Sequence, residues 1–391
     1  MFGLIGHLGL CCFAFNQIHA TAWPRSSRKI SEKIILLSAL VPIAVVLAIN
    51  LPWAWFGDNP WIAASVGSCQ QFVFGWPGIF YARLCLPLGI FFASRWAYRR
   101  VTRRLPTSIV HHRQQTYDLK LEINQPLLHG WFARCLGAVP FNQLLLLTTK
   151  ELTISLEIEA EFDGLRICQL SDLHFTGQID RAYFEWIVAR ANAFEPDLIV
   201  ITGDLVDEPE CLPWLDSTLG RLRSRLGCFY ILGNHDLRIK DEASYREQLQ
   251  KIGLVRVAGS WHTVVHNGSE IFITGNELPW FPGAEKLPLR LSGTKAGLKI
   301  LLSHSPDQIE WARPHGFDLI FAGHTHGGQV ALPIIGPIVA PSRYGVLYAA
   351  GTFQINDSVM HVSRGISGDE PVRFFSPPEL GLFTIRSTRV G

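Results

Sequence analysis

Charged side chains are scarce in this chain. They make up 17% of its 391 residues, and Lys plus Arg exceed Asp plus Glu by only two, 35 against 33. So even a balance gives no overall polyanion-binding signal. The mean hydropathy is +0.18, too apolar for an ordinary soluble enzyme, which points to membrane segments. Cysteine pairs at CxxC spacing are absent. The eight Cys, at 11, 12, 69, 85, 135, 168, 211 and 228, recur at no metal-knuckle spacing. A thiolate metal site and a disulfide scaffold are both disfavoured, and the eight read as free buried thiols. No internal repeat or low-complexity segment is visible. The length allows two or three domains.

The apolar excess is concentrated at the start. KIILLSALVPIAVVLAINLPWAWF opens an uncharged run, about 34–56, long enough for a transmembrane helix, which needs roughly 20 residues. Trp53 and Trp55 sit at its far end, where interfacial aromatics belong. A second run, 72–94, carries Arg83 near its middle and is also expected to span. Residues 2–20 form a further apolar segment interrupted by His7, Asn16, Gln17 and His19. Arg25, Arg28, Lys29 and Lys33 precede the first span. Arg95, Arg99, Arg100, Arg103 and Arg104 follow the second, and the connection near Asp58 has no Lys or Arg. The positive-inside rule then predicts a hairpin in a bacterial inner membrane, with the catalytic domain on the cytoplasmic side. The expected division is a membrane region at 1–104, a connector at 105–150 and a catalytic domain at 151–391. In the connector, LKLEI alternates as a strand would, and PFNQLLLLTTK is apolar enough to lie on a membrane.

From residue 151 the chain reads as an α/β domain. LTISLEIEAEF, LRICQLSD, PDLIVITGD, CFYILGNHD, KILLSHSPD and DLIFAGHTH read as strands, and RAYFEWIVARANAF and SYREQLQKIG as helices. Strand after strand ends in Asp, His, Asn and Gly. In open α/β sheets, sites form at the carboxyl ends of strands.

Those ends supply Asp172 and His174 in LSDLHF, Asp204 and Asp207 in ITGDLVD, and Asn234, His235 and Asp236 in LGNHD. They also supply His304 in LLSHSPD, and His324 and His326 in FAGHTHGGQV. Each fragment alone is common; the ordered series is not. Its donors are oxygen and nitrogen only, suited to Mn, Fe, Zn or Mg. His262, His266, His315 and His361 lie outside the series and read as ordinary histidines.

The series D-x-H, G-D-x-x-D, G-N-H-D, S-H and G-H-x-H resembles the calcineurin-like metallophosphoesterase superfamily over roughly residues 160–386. GHTHGGQVALP and SPPELGLFTI resemble a bacterial, membrane-associated branch that includes enzymes cleaving UDP-diacylglucosamine. The resemblance implies a four-layer α/β/β/α sandwich, here preceded by N-terminal transmembrane helices. It also implies two divalent metal ions, with manganese favoured. One would take Asp172, His174, Asp204 and His326. The other would take Asp204, Asn234, His304 and His324. His235 would act on the leaving oxygen or the transition state, and Asp207 would orient it. Two cations sharing a carboxylate can share a water and lower its pKa, which gives a bridging hydroxide as the nucleophile.

Departures from the pattern narrow the substrate. Protein phosphatases of the superfamily read GDxVDRG and GNHE, whereas this chain reads GDLVDEP and GNHD. A protein phosphatase is therefore disfavoured, and so is a nuclease, given the even charge. The expected substrate is a lipid-linked or nucleotide-diphospho phosphoester, with the membrane as partner and no nucleic acid. LPWFPGAE (278–285) is a candidate lip for an acyl chain. A broad phosphodiesterase of soluble nucleotides and a non-catalytic scaffold are the alternatives.

Overall fold

The computed structural model describes residues 2–20, 27, 30–40, 76–102, 105–284 and 297–389. The chain divides into two compact units, Met1–Arg104 and Leu105–Gly391.

In the first unit, helices run over Phe2–His19 and Trp76–Thr102, and residues 30–40 are helical. Among the described residues, no helix is long and apolar enough to cross a membrane. This overturns the expectation of transmembrane helices, and with it that of an integral inner-membrane protein with a cytoplasmic catalytic domain. The physical reason is the polar content of the helices. His7, Asn16, Gln17 and His19 interrupt the first. Arg83 falls inside the other, which runs on through Arg95 and Arg99. The greater part of the run 34–56, with Trp53, Trp55 and the connection at Asp58, lies outside the described residues. So do Arg25, Arg28, Lys29, Arg103, Arg104 and Cys69.

The second unit begins with two antiparallel strands, β1 (Ile109–Asp118) and β2 (Leu146–Leu156). Next come β3 (Arg166–Leu170), β4 (Leu198–Thr202), β5 (Gly227–Ile231) and β6 (Leu254–Arg256). A second series follows as β7 (His262–His266), β8 (Ser269–Asn276), β9 (Leu298–Ser303) and β10 (Leu319–Ala322). The chain then forms a small hairpin, β11 (Ala331–Leu332) and β12 (Gly336–Pro337), and closes with β13 (Gly351–Ile355), β14 (Ser358–Val362) and β15 (Glu379–Ser387). Seven strands form one mixed sheet in the order β1-β2-β15-β3-β4-β5-β6. Six form another in the order β13-β14-β10-β9-β8-β7.

The strands RICQL and LIVIT carry few polar residues because parallel strands covered on both faces must be apolar throughout. Successive side chains point to opposite faces, and each face has its own partner. Ile167, Val200 and Phe229 of the first sheet join Ile273, Ile300 and Phe321 of the second in one core between the sheets. The alternate residues Cys168, Ile201 and Tyr230 pack outward with Tyr183, Phe184, Ile187 and Leu249. Those four belong to helices Arg181–Ala193 and Glu242–Lys251. On the far side of the second sheet, Leu301, Ile320 and Met360 pack with Ile309 and Phe317.

Local chemistry starts each helix. Asp180 accepts a hydrogen bond from the Ala182 backbone N–H and Asp241 one from Ser244, side-chain caps worth about 1 kcal/mol each. The same effect explains a misread segment. LKLEI alternates like a strand, yet Leu119–Glu122 is a helical turn, because Asp118 accepts from the Lys120 N–H. PFNQLLLLTTK also differs from expectation. Leu144, Leu145 and Leu147 are core residues, while Phe141 is exposed. The described cysteines are all free; four are buried and Cys135 is exposed.

One buried ionic group ties β14 to β15. Glu379 lies 2.9 Å from both His361 Nε2 and Arg364 Nε. Burial opposes its ionisation, but Lys150, Arg364 and His361 hold its pKa below the ordinary glutamate range. A lowered folded pKa stabilises above the unfolded value, about 4.3, and the stabilisation is lost as pH falls through the folded pKa. Glu379→Gln is therefore expected to cost about 3 kcal/mol at neutral pH. Urea titrations should show the gap between variant and parent narrowing below about pH 4.

Candidate metal centre

Five parallel strand ends meet at one edge. Asp172 and His174 follow β3, Asp204 and Asp207 follow β4, and Asn234 and His235 follow β5. His304 follows β9, and His324 and His326 follow β10. The first sheet thus supplies six of these side chains and the second supplies three. The face-to-face packing of the sheets brings them together.

Turning so sharply after each strand demands unusual backbone. Asp172, His174, Asp204, His324 and His326 all have φ between 47° and 70°, a region non-glycine residues rarely enter. Such conformations cost on the order of 1–3 kcal/mol each and persist only where the surroundings fix them. Here the fixing bonds are on hand. The backbone N–H groups of Asp172 and His174 donate to Gly203 O and Asp204 O, both at 3.0 Å. The N–H of His324 donates to Asp172 Oδ1 at 3.0 Å, and that of His235 to Asp204 Oδ1 at 2.7 Å. Asp236 accepts from the N–H groups of Gly233, Asp204 and Leu205 and from the Tyr245 hydroxyl. It organises the loops and does not face the centre. Gly233 is required for space: a Cβ there would run into the Asp204 carboxylate and the His304 ring.

The donors form three groups in which the ligand atoms all lie within 4.8 Å of one another. They are Asp172–His174–Asp204–His326, Asp204–His304–His324, and His174–Asp207–His235. Asp204 is common to the first two. Its Oδ2 lies 3.2 Å from His304 Nε2 and 3.6 Å from His174 Nε2. Asn234 Oδ1 stands 3.0 Å from His304 Nε2. His174 Nε2 and His326 Nε2 approach to 3.2 Å, and His326 Nε2 lies 3.4 Å from Asp172 Oδ1. The nine residues expected to hold metal or act on substrate all fall in this one region.

The proton positions follow from the partners. Thr202 O, which only accepts, lies 2.7 Å from His304 Nδ1, so Nδ1 carries a proton and Nε2 is the ring atom turned toward Asp204 and Asn234. Asp207 accepts from His174 Nδ1 at 2.8 Å and from His235 Nδ1 at 2.9 Å. Both rings are thereby fixed, with each Nε2 left for the centre. His324 Nε2 is buried without any hydrogen-bond partner. Converging nitrogen and oxygen donors, an orphaned buried nitrogen and a shared carboxylate fit divalent cations.

The electrostatics point the same way. Burial opposes ionisation of Asp172, Asp204 and Asp207, but the surrounding histidines hold all three well below the usual range. Burial would lower His174 and His304, yet Asp207 and Asp204 respectively pull them up to about 9. Three buried carboxylates call for positive charge. His324 and His326 are held low, chiefly by burial.

Several neighbours carry no motif in the sequence. Trp280 packs its ring 5.2 Å from His304 and 4.8 Å from His324, while Phe281 is core. The candidate lip at 278–285 is thus partly core and partly a wall of the centre, with residue 285 outside the described residues. Arg373, fully buried, donates to His326 O at 2.9 Å and contacts its Nδ1 at 3.2 Å. Arg238 pairs through both nitrogens with Asp369 at 2.9 Å and reaches Asp207 at 3.5 Å.

Comparison with known proteins adds sequence relatives. The calcineurin-like phosphoesterase profile matches residues 165–328. An uncharacterized metallophosphoesterase of Bacillus subtilis is 33% identical over 248 residues, which cover 62% of this chain and 86% of that protein. A UDP-2,3-diacylglucosamine pyrophosphatase of Chlamydia muridarum is 26% identical, over 56% of this chain and 83% of that protein. A phosphodiesterase of Escherichia coli K12 is 25% identical, over 56% and 82%.

Asp207 fixes two histidine rings at once. Carboxylates in such supporting positions are worth about 10- to 100-fold in metal affinity or activity. Asp207→Asn is expected to weaken metal binding in that range, measured by calorimetric titration of the metal-stripped chain.

Proposed function

Since the chain belongs to the calcineurin-like phosphoesterase family and is a metal-dependent phosphoester hydrolase, we propose that it is a two-metal phosphodiesterase or pyrophosphatase. We infer a lipid-linked or nucleotide-diphospho substrate. The observation that carries the reading is the pair of donor groups meeting at Asp204.

Asp172, His174, Asp204 and His326 would hold one ion. Asp204, Asn234, His304 and His324 would hold the other. The oxygen and nitrogen donors suit Mn, Fe, Zn or Mg, and manganese is our first choice of ion to load. Two divalent ions at such a site supply charge neutralisation at a phosphoryl group and a nucleophile at neutral pH. The protein supplies the rest. His235, anchored through Nδ1 to Asp207, keeps a side chain that is 16% exposed, with Nε2 available to a substrate. It would protonate the leaving oxygen or bind the developing charge. Arg238, held by Asp369, keeps Asp207 in place from the far side.

Three core groups, one between the sheets and one outside each, support the four-layer α/β/β/α reading. For the domain plan, the strand ends β3, β4, β5, β9 and β10 support placing catalysis in 151–391; β1, from the 105–150 connector, joins the same sheet. The substrate class is supported by the relatives. The Chlamydia protein is named for a nucleotide-linked, diacylated sugar, and the Escherichia coli protein is named a phosphodiesterase.

With manganese bound, the chain is expected to cleave a generic phosphodiester faster than the matching monoester, and Asp204→Asn to abolish both. His235→Ala should lower kcat about 100- to 10,000-fold while leaving the metal content unchanged. Equal loss of metal and rate in that variant would remove His235 from the chemistry.

A further inference from the structure

Beside the metal centre, the Leu105–Gly391 unit exposes apolar side chains on two stretches of chain that are tied together. Helix Gly130–Gly137 presents Trp131, 78% exposed, and Phe132; Phe141 follows at 80%. Shortly after His326 the chain forms the β11–β12 hairpin, whose tip carries Ile334 at 81% and Ile335, also exposed. Residues 371–375 join the two stretches. Asn142 Nδ2 donates to Pro371 O at 3.0 Å, and the Gln143 N–H to Arg373 O at 2.7 Å. The N–H of Ala331 donates to Phe374 O at 2.8 Å, that of Phe374 to Gln329 O at 3.1 Å, and Phe375 is exposed. This joining segment also grips the centre, since Ser376 Oγ and Arg373 Nη1 both donate to His326 O at 2.9 Å.

Single exposed apolar residues are ordinary, but a connected group is not. An exposure near four fifths means that Trp131, Phe141 and Ile334 project from the surface. A fluid phase can receive side chains that project in this way. Acids are few along these stretches: Asp369, paired with Arg238, and the exposed Glu370 precede the joining segment, and Asp180 is paired with His129. No Asp or Glu occurs between Glu122 and Glu151, between Asp318 and Asp357, or within 371–378, while the helix carries an exposed Arg134. Aromatic and aliphatic side chains beside an exposed cation, on stretches of chain free of acids, suit the headgroup boundary of an anionic bilayer.

We propose that this face seats the phosphoesterase unit on a bilayer containing anionic lipid, with the His326 edge of the centre held beside the headgroups. The contact is peripheral and needs no spanning helix. It goes beyond the proposed activity and does not depend on which phosphoester is cleaved.

The test uses the whole chain carrying Cys135→Ser and a thiol-linked, polarity-sensitive NBD fluorophore at Ile334→Cys. The control position is Glu195→Cys, whose native side chain is 84% exposed and precedes β4 at the opposite edge of the sheet. Labelled Cys135→Ser alone gives the background of the remaining thiols. Vesicles of phosphatidylcholine with phosphatidylglycerol are expected to blue-shift and brighten the label at 334 but not at 195. Trp131→Asp with Phe141→Asp should remove the shift while circular dichroism stays unchanged. No shift at 334, or an equal shift at both positions, overturns the proposal. A shift that grows with protein concentration in the absence of lipid also overturns it, identifying a second copy of the chain as the occupant. Hydrolysis of a soluble diester by the same labelled chains reports the activity separately, so either conclusion can fail alone.

Discussion

The Asp204 carboxylate is the constraint on which the rest of the site depends. It is 1% exposed and stands between two histidine groups. A buried charge without partners would cost several kcal/mol. Its neighbours are arranged to remove that cost: a backbone N–H from His235, His304 and His174 nearby, and the loop order imposed by Asp236. Removing the carboxylate would leave two half-sites facing each other with nothing to join them.

That arrangement explains the two-sheet architecture in functional terms. Neither sheet alone assembles the centre. The β3, β4 and β5 ends bring both carboxylates of the metal set and the amide. The β9 and β10 ends bring three imidazoles. The apolar residues that fill the space between the sheets, such as Phe321 against Phe383 at 5.1 Å, therefore fix distances within the centre. Five left-handed residues at these ends show that local backbone preference has been overridden in favour of ligand direction.

Much of this was legible in the sequence for a simple reason. Ligands at strand ends leave a repeating signature: an apolar run, then a glycine or a turn residue, then Asp, His or Asn. That rule picked out the residues from Asp172 to His326 that meet at this edge and the strands β3, β4, β5, β9 and β10 that carry them, whereas it did not pick out β1, β7, β8, β13, β14 or the central β15. What escaped it came from long-range contacts. Arg373 reaches His326 across 47 residues and Trp280 covers His304 from a separate loop; no local spacing announces either. LKLEI misled because alternation over five residues is weaker than one aspartate cap. In the N-terminal region the apolar runs were plain. The described helices nonetheless carry too much polar content to cross a membrane.

Counting the metals and asking whether they share a ligand tests the central claim most directly. The intact chain, loaded with manganese, would be examined by elemental analysis and electron paramagnetic resonance. Two ions per chain with an exchange-coupled spectrum, the coupling lost in Asp204→Asn, is the expected result. One ion per chain, or two ions that give only isolated signals, would contradict a centre built around a shared Asp204.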